Sequence, residues 1–453
     1  MLNHLRIRNF KAWHDTGNIR LAPLTVFFGT NSSGKTSLHQ LLLLLKQTAE
    51  SPDRRQVLHL GDRRTAIDLG TFQDIVYRHD TSQPLHIELS WRMPQELQIR
   101  DPNSDRRYRG RNLRFAAEIT QERTQVLVRR MGYHLGEQLS ADLQRLENNG
   151  EGYELHAEHY ELKRNRGRPG KLPPPARFYG FPDEAVAYYQ NTGFLADLAL
   201  QLELLLQRLY YLGPLRQYPE RIYVWSGEVP AHVGWRGERA VDALLAAQDR
   251  RLNRAPKTHT EPFQKLVARW LRDLGVIESF SLKPIARQRK EYEVRVVTGS
   301  GQPEVNLTDV GFGVSQVLPV VVECFYVPAH STVILEQPEI HLHPSVQAAL
   351  ADLFIEAIHA REDGKDRNLQ LIIESHSEHF LRRLQRRIAE ERLGHDQVAL
   401  YACSPGEQGA RLEPLEVDAY GNIRNWPEGF FGDEMGDLVA MTEAAMSRQQ
   451  AEP

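Results

Sequence analysis

The chain has 453 residues, 41% of them hydrophobic and 25% charged, with a formal net charge of −3. That length predicts two or three packed units, and the near-neutral charge excludes a globally basic nucleic-acid binder, leaving only a local patch for any polyanion. Two distant cysteines, Cys324 and Cys403, exclude a disulfide framework and fit a reducing compartment.

The start, MLNHLRIRNFKAWHD, has no apolar signal core, and Leu41 to Leu45 is too short to span a bilayer, so the expected location is the cytoplasm, without a membrane segment. Residues 1–30 alternate as LRIRNF, turn near Gly17, and continue as PLTVFFG, which predicts two or three strands feeding a glycine loop. SLHQLLLLLKQTAE then predicts an apolar helix closed by Ser51 and Pro52. Between about 84 and 163, LHIELSW, LRFAAEI, QVLVRRM and YELHAEHYEL have period 2 and predict an antiparallel β lobe. RNRGRPGKLPPPAR (164–177) is basic and rich in Pro and Gly, the pattern of an exposed loop. Helical periodicity over about 183–212 and 239–274 predicts a short arm or lid, with no room for a long coiled coil. From about 280, YEVRVVT, VSQVLPVVVECF, TVILEQ, a helix from Pro344 to about Ala360, LQLIIES and SEHFLRRLQRRIAEERL predict a parallel sheet with crossover helices. The fold class is α/β.

GTNSSGKT, from Gly29 through Thr30, Asn31, Ser32, Ser33, Gly34 and Lys35 to Thr36, matches G-x-x-x-x-G-K-[ST]. In that pattern the glycines let backbone amides face phosphates, the lysine reaches the terminal phosphates, and the last hydroxyl binds magnesium; ATP and Mg are the implied ligands. Strand TVILE ends in Glu336, the place of a Walker B carboxylate holding magnesium. Gln337 follows where a water-polarising glutamate normally stands, and a carboxamide orients water without accepting its proton. LIIESHSEHF places His376 about forty residues on, positioned to bond a γ-phosphate, although a lone histidine is usually structural.

The P-loop, EQPEIHLHP and ESHSEHFL in this order resemble the small ABC/SMC-like P-loop ATPases related to RecF and the overcoming-lysogenization-defect proteins, over essentially the whole chain. The resemblance implies an ABC-type ATPase head with an antiparallel β lobe and a short helical arm or lid. Its expected parts are 1–80 (N-terminal half of the head), 81–180 (β lobe), 181–280 (arm or lid), 281–410 (C-terminal half) and 411–453 (C-terminal module). The tail, Asp418 to Ile423 followed by WPEGFF, is similar to a subgroup whose members often sit in bacterial defence and mobile-element contexts. Gln337 fits either a natural feature of that subgroup or an engineered trap, and either implies slow turnover.

By the same resemblance two heads sandwich ATP, so the chain is expected to form a homodimer or a higher oligomer. The segment from Asp309 to Gln316 matches the signature offered in trans, with Gly311 and Gly313 exposing amides and Ser315 or Gln316 opening the helix. Gln73 takes the place of a magnesium-sensing Q-loop residue, a further Mg contact beside Thr36 and Glu336. His341 and His343 match a dimer-facing loop, and no third ligand suggests a metal there. Arginines at 106–114, at 163–171 and at Arg382, Arg383, Arg386 and Arg387 offer a surface for nucleic acid, against the plainer reading of a solvated face or protein contact. No second catalytic domain is legible, so the effector is expected to be a separate polypeptide. The leading reading is a sensor or scaffold ATPase in anti-phage defence; the alternative is a RecF-like DNA-binding ATPase, and a transporter subunit fits least.

Overall fold

The computed structural model describes residues 1–146, 152–167, 171–253, 259–427, 430 and 439–446. At its centre is a six-stranded sheet in the order Leu209–Leu212, Thr332–Glu336, Gln370–Ser375, Leu24–Gly29, Val398–Gly406, Gly409–Pro414. The first five strands are parallel and the last is antiparallel. LTVFFG, TVILE and QLIIES are buried at every position, which a parallel sheet covered on both faces demands.

Strand alternation divides these residues between two cores. Phe27, Ile334 and Ile372 face the helix Lys35–Glu50 and the β lobe, whereas Val26, Phe28, Val333 and Leu335 pack with the helices Phe312–Tyr326, Pro344–His359 and Glu378–Ala389. The lobe is an eight-stranded antiparallel sheet in which Leu2–Phe10 pairs with Leu85–Arg100, followed by Arg107–Glu122, Gln125–Leu135, Leu139–Arg145 and Tyr153–Glu158. Leu41 to Leu45 are all buried because their helix shares a core with both sheets.

Two sequence expectations are corrected. The helix predicted through residue 212 stops at Gln207, and Leu209–Leu212 is an edge strand of the central sheet, where aromatic LYYL pairs with Thr332 to Leu335. Glu291–Val297 is a strand as predicted, but it lies in a separate four-stranded antiparallel sheet with Ser279–Pro284. Its alternating charged residues suit a sheet wetted on one face, unlike the unbroken apolar run of TVILE. The helical stretch consists of Glu184–Tyr188, Phe194–Gln207, Ala240–Ala246 and Phe263–Asp273. Residues 168–170 of the basic loop, and Glu428, Gly429 and Phe431 of WPEGFF, lie outside the described residues. Among the described residues no helix is long and apolar enough to cross a membrane.

Gln370 joins the two sheets. Its amide donates to the carbonyls of Leu2 (2.8 Å) and Ala22 (3.1 Å), and its carbonyl accepts from the Leu2 amide (3.0 Å) and the Thr332 hydroxyl (3.0 Å), all buried. Stranding such groups costs more than the bonds contribute net. Gln370→Leu is therefore expected to lower unfolding stability by about 2–4 kcal/mol in urea titration, with the apolar volume retained.

Candidate functional site

The strand Leu24–Gly29 delivers the loop, and the helix beginning at Lys35 receives it, so its unsatisfied amides and positive dipole end lie at the loop. Two glycines are required by geometry. Gly29 has φ +146°, and a Cβ there would stand 2.1 Å from the Cys403 carbonyl oxygen; Gly34, the N-cap, has φ +90°. Lys35 Nζ donates to the carbonyls of Gly29 (3.0 Å) and Thr30 (2.7 Å) and stands 3.4 Å from Ser33 Oγ. Burial pulls the lysine pKa down, and Glu374, 3.9 Å away, opposes that. Thr30, Asn31 and Ser32 are exposed. Trp13 Nε1 donates to the Gly34 carbonyl (3.1 Å), fixing the loop to the lobe.

Glu336 ends its strand buried. Gln337, at φ +43°, holds a backbone conformation that costs a non-glycine residue energy, of the kind that clusters at functional sites. Its N–H donates to the Glu374 carbonyl (2.9 Å), and its Nε2 lies 3.2 Å from His376 Nε2. Thus the two residues expected to meet the attacking water and γ-phosphate are adjacent. Burial, with Lys35 adding, pushes the His376 pKa down to about 4, against an interaction with the Gly29 carbonyl. Glu339 accepts from Ser375 Oγ (2.8 Å) and the His376 amide (2.7 Å), and burial raises its pKa.

Three residues at this centre went unassigned in the sequence. Thr36 Oγ1 donates to Glu374 Oε2 at 2.8 Å, so the loop hydroxyl meets Glu374. His39 is fully buried, with Nδ1 3.7 Å from Glu336 Oε1 and 3.9 Å from Glu374 Oε2. Its signal was its place three residues after Thr36, on the same helix face. Arg216 is buried with Nε and Nη1 lacking hydrogen-bond partners; burial brings its pKa down to about 10, opposed by Tyr211, Glu336 and Glu339. The distance in sequence between Arg216 and these acids hid it.

The remaining expected residues lie further out. Gln73 is exposed on the short helix Phe72–Ile75, tied to the P-loop helix through Lys11, which donates from its amide to Ile75 O (2.7 Å) and from Nζ to Gln40 Oε1 (2.7 Å). Gly311 is exposed at the N-cap of Phe312–Tyr326 and Gly313 is half-buried, whereas Ser315 and Gln316 are buried inside this chain. Of these four residues, the two glycines are the ones that keep accessible surface. His343 caps the helix Pro344–His359, accepting from Ser345 N, and His341 is exposed at φ +62°. The helix arginines form two rows: Arg383 and Arg387 bind Asp352, while Arg382 and Arg386 bind Glu378 and Glu390.

A family model described as "AAA domain, putative AbiEii toxin, Type IV TA system" matches residues 24–382, and one for a protein family of unknown function, DUF3696, matches 393–441. No curated protein sequence matches. Similar solved structures include an SmcHead bound to the C-winged helix domain of ScpA, at 9% identity and TM-score 0.44, covering 92% of this chain and 98% of that one. The SMC head domain from Thermotoga maritima is 10% identical with TM-score 0.39, covering 92% and 99%.

His376 generates a pH prediction. Its folded pKa lies below the ordinary 6.5, so the unfolded chain takes up the proton first. The stability tied to the neutral ring is complete above pH 6.5 and is lost as pH falls toward 4. Between those values the urea stability of the His376→Asn variant should decline less steeply than that of the unaltered chain.

Proposed function

This chain belongs to the AAA-domain family described as putative AbiEii toxins of type IV toxin–antitoxin systems, and from that premise we propose that it is a slowly hydrolysing ATPase whose ATP-bound heads dimerise to hold or release a separate effector. A role in bacterial anti-phage defence is the context this reading favours, supported by the family description and by the resemblance of the tail. The residues proposed to bind nucleotide are Gly29 to Thr36, with Gln73 as an outer sensor, and Gly311 and Gly313 facing a partner's nucleotide.

The observation that carries the slow-turnover reading is Gln337. Its carboxamide stands beside a neutral His376 where a carboxylate base would otherwise take the water's proton. Gln337 orients the water, His376 bonds the γ-phosphate, and Lys35 neutralises phosphate charge. Magnesium, held by Thr36 and Glu336, would supply further positive charge against the transferring phosphoryl group. Glu339, with burial raising its pKa and Oε2 unpartnered, is the nearest candidate for a substitute base.

A second reading, a RecF-like DNA clamp, draws on the exposed Arg106, Arg107, Arg109 and Arg111 of the lobe. The two rows of paired helix arginines support it less, since their charge is already met by carboxylates.

Magnesium-dependent ATP turnover tests both readings. Gln337→Glu is expected to raise kcat by at least about tenfold, within the range a general base contributes, and Lys35→Ala to abolish nucleotide binding. Rapid turnover by the unaltered chain would overturn the slow-ATPase reading. Stimulation by duplex DNA that vanishes with added salt would favour the clamp.

A further inference from the structure

Arg216 is the buried cation that the nucleotide reading leaves without a task. Its loop inverts the usual order of burial: Leu215 and Tyr218 are 70% and 73% exposed, whereas Arg216 is 5% exposed. Neither Nε nor Nη1 has a hydrogen-bond partner, so the burial is costly unless opposite charge compensates it. The loop is fixed on both sides of the arginine. Strand Leu209–Leu212 runs parallel to Thr332–Glu336 with Leu212 opposite Leu335, so both chains leave the sheet at the same edge. Gly213 N then donates to the Trp235 carbonyl (2.8 Å), and Gln217 N to the Arg236 carbonyl (2.8 Å).

The compensating charge lies in the neighbouring turn. Burial lowers the Arg216 pKa, and Tyr211, Glu336, Glu339 and Glu323 oppose that in descending order. Glu336 and Glu339 flank Gln337 and Pro338, so the guanidinium acts on both ends of the turn whose left-handed residue is Gln337. Tyr211 of the edge strand interacts with Glu336 as well. Glu323, on the helix Phe312–Tyr326, comes last; burial pushes its pKa up to about 8, which leaves it mostly protonated at neutral pH. At the far end of the turn Glu339 Oε1 accepts from Ser375 Oγ and the His376 amide, while Oε2 is buried without a partner. Where Glu339 stands therefore sets where His376 stands.

We propose that Arg216 is a positioning residue for ATP hydrolysis: its guanidinium is the counter-charge that holds Glu336 and Glu339, and so keeps Gln337 and His376 together. It acts through the turn, not on the phosphate. The proposal rests on the ATPase reading and deepens it.

The test is a double-mutant cycle of Arg216→Gln and Glu339→Gln in the full chain, read by ATP affinity, by kcat and by the urea midpoint. Arg216→Gln is expected to lower kcat at least about tenfold, the scale for a group that orients a site residue from behind, with ATP affinity retained. Arg216→Lys, which preserves the charge, should keep most of the turnover. With Glu339→Gln already present, Arg216→Gln should cost less turnover and a smaller drop in urea midpoint, because no buried Glu339 carboxylate is left unpaired. Unchanged kcat in Arg216→Gln overturns the proposal, as do equal losses in both backgrounds. A fall in ATP affinity matching the fall in turnover also overturns it, since Arg216 would then serve the nucleotide directly. If Arg216→Gln fails to fold while the double variant folds, the same coupling is seen in its strongest form; failure of both to fold overturns it. The two readings fail separately. If the unaltered chain binds no ATP, the ATPase reading falls while the urea cycle still measures the Arg216–Glu339 coupling, and ATP turnover with an additive cycle removes the role of Arg216 alone.

Discussion

Glu336 and Glu374 sit in register on adjacent parallel strands, both buried, and much of the surrounding architecture follows from that juxtaposition. Two carboxylates cannot remain ionised together in a low-dielectric interior without cations close by. The chain supplies them from two directions: Lys35 from the P-loop helix and Arg216 from the loop after the edge strand. Each cation is itself buried, so acids and bases are each costly alone and tolerable together. The sheet thus ends in a preformed field of mixed sign.

That field is held rigid from the side opposite the P-loop. Glu339 binds Ser375 and the His376 amide, Ser377 caps the helix Glu378–Ala389 by accepting from Phe380 N, and its hydroxyl donates to Gln347 of the neighbouring helix. The turn bearing Gln337 and the turn bearing His376 are therefore one hydrogen-bonded unit. The left-handed conformation of Gln337 persists because this unit overdetermines it.

How much of this was legible in the sequence depended on locality. The P-loop could be read because its residues are contiguous and its strand, loop and helix have strong local periodicities. Buried strands such as TVILE and QLIIES could be read because both faces must be apolar, and the lobe because its strands alternate. LYYL misled because it follows a helix directly and is only four residues long, too short for a period to declare itself. Glu291–Val297 was recognised as a strand but placed in the wrong sheet, since pairing partners are set by tertiary packing. Motif spacing singled out Gln337 and His376, and the structure brings those two side chains together. Arg216 and the second carboxylate were not, because their meaning lies in contacts across long sequence separations that no local pattern encodes.

The same wiring indicates where a nucleotide-dependent movement could be felt. From His376 the backbone enters the helix Glu378–Ala389, which is anchored on one side by Asp352 to the helix Pro344–His359. On another side, Arg382 lies over the Trp426 ring, 4.5 Å from its centroid, and Gln385 Nε2 donates to the Gly421 carbonyl at 2.9 Å. Phe430 in turn meets Trp426 and the buried Phe28 of the P-loop strand. The C-terminal segment thus touches both the strand that delivers the phosphate loop and the helix that follows His376. A packed interior adjusts by discrete shifts of such elements. A change in where His376 stands would reach this segment through one helix, with no intervening flexible loop to absorb it.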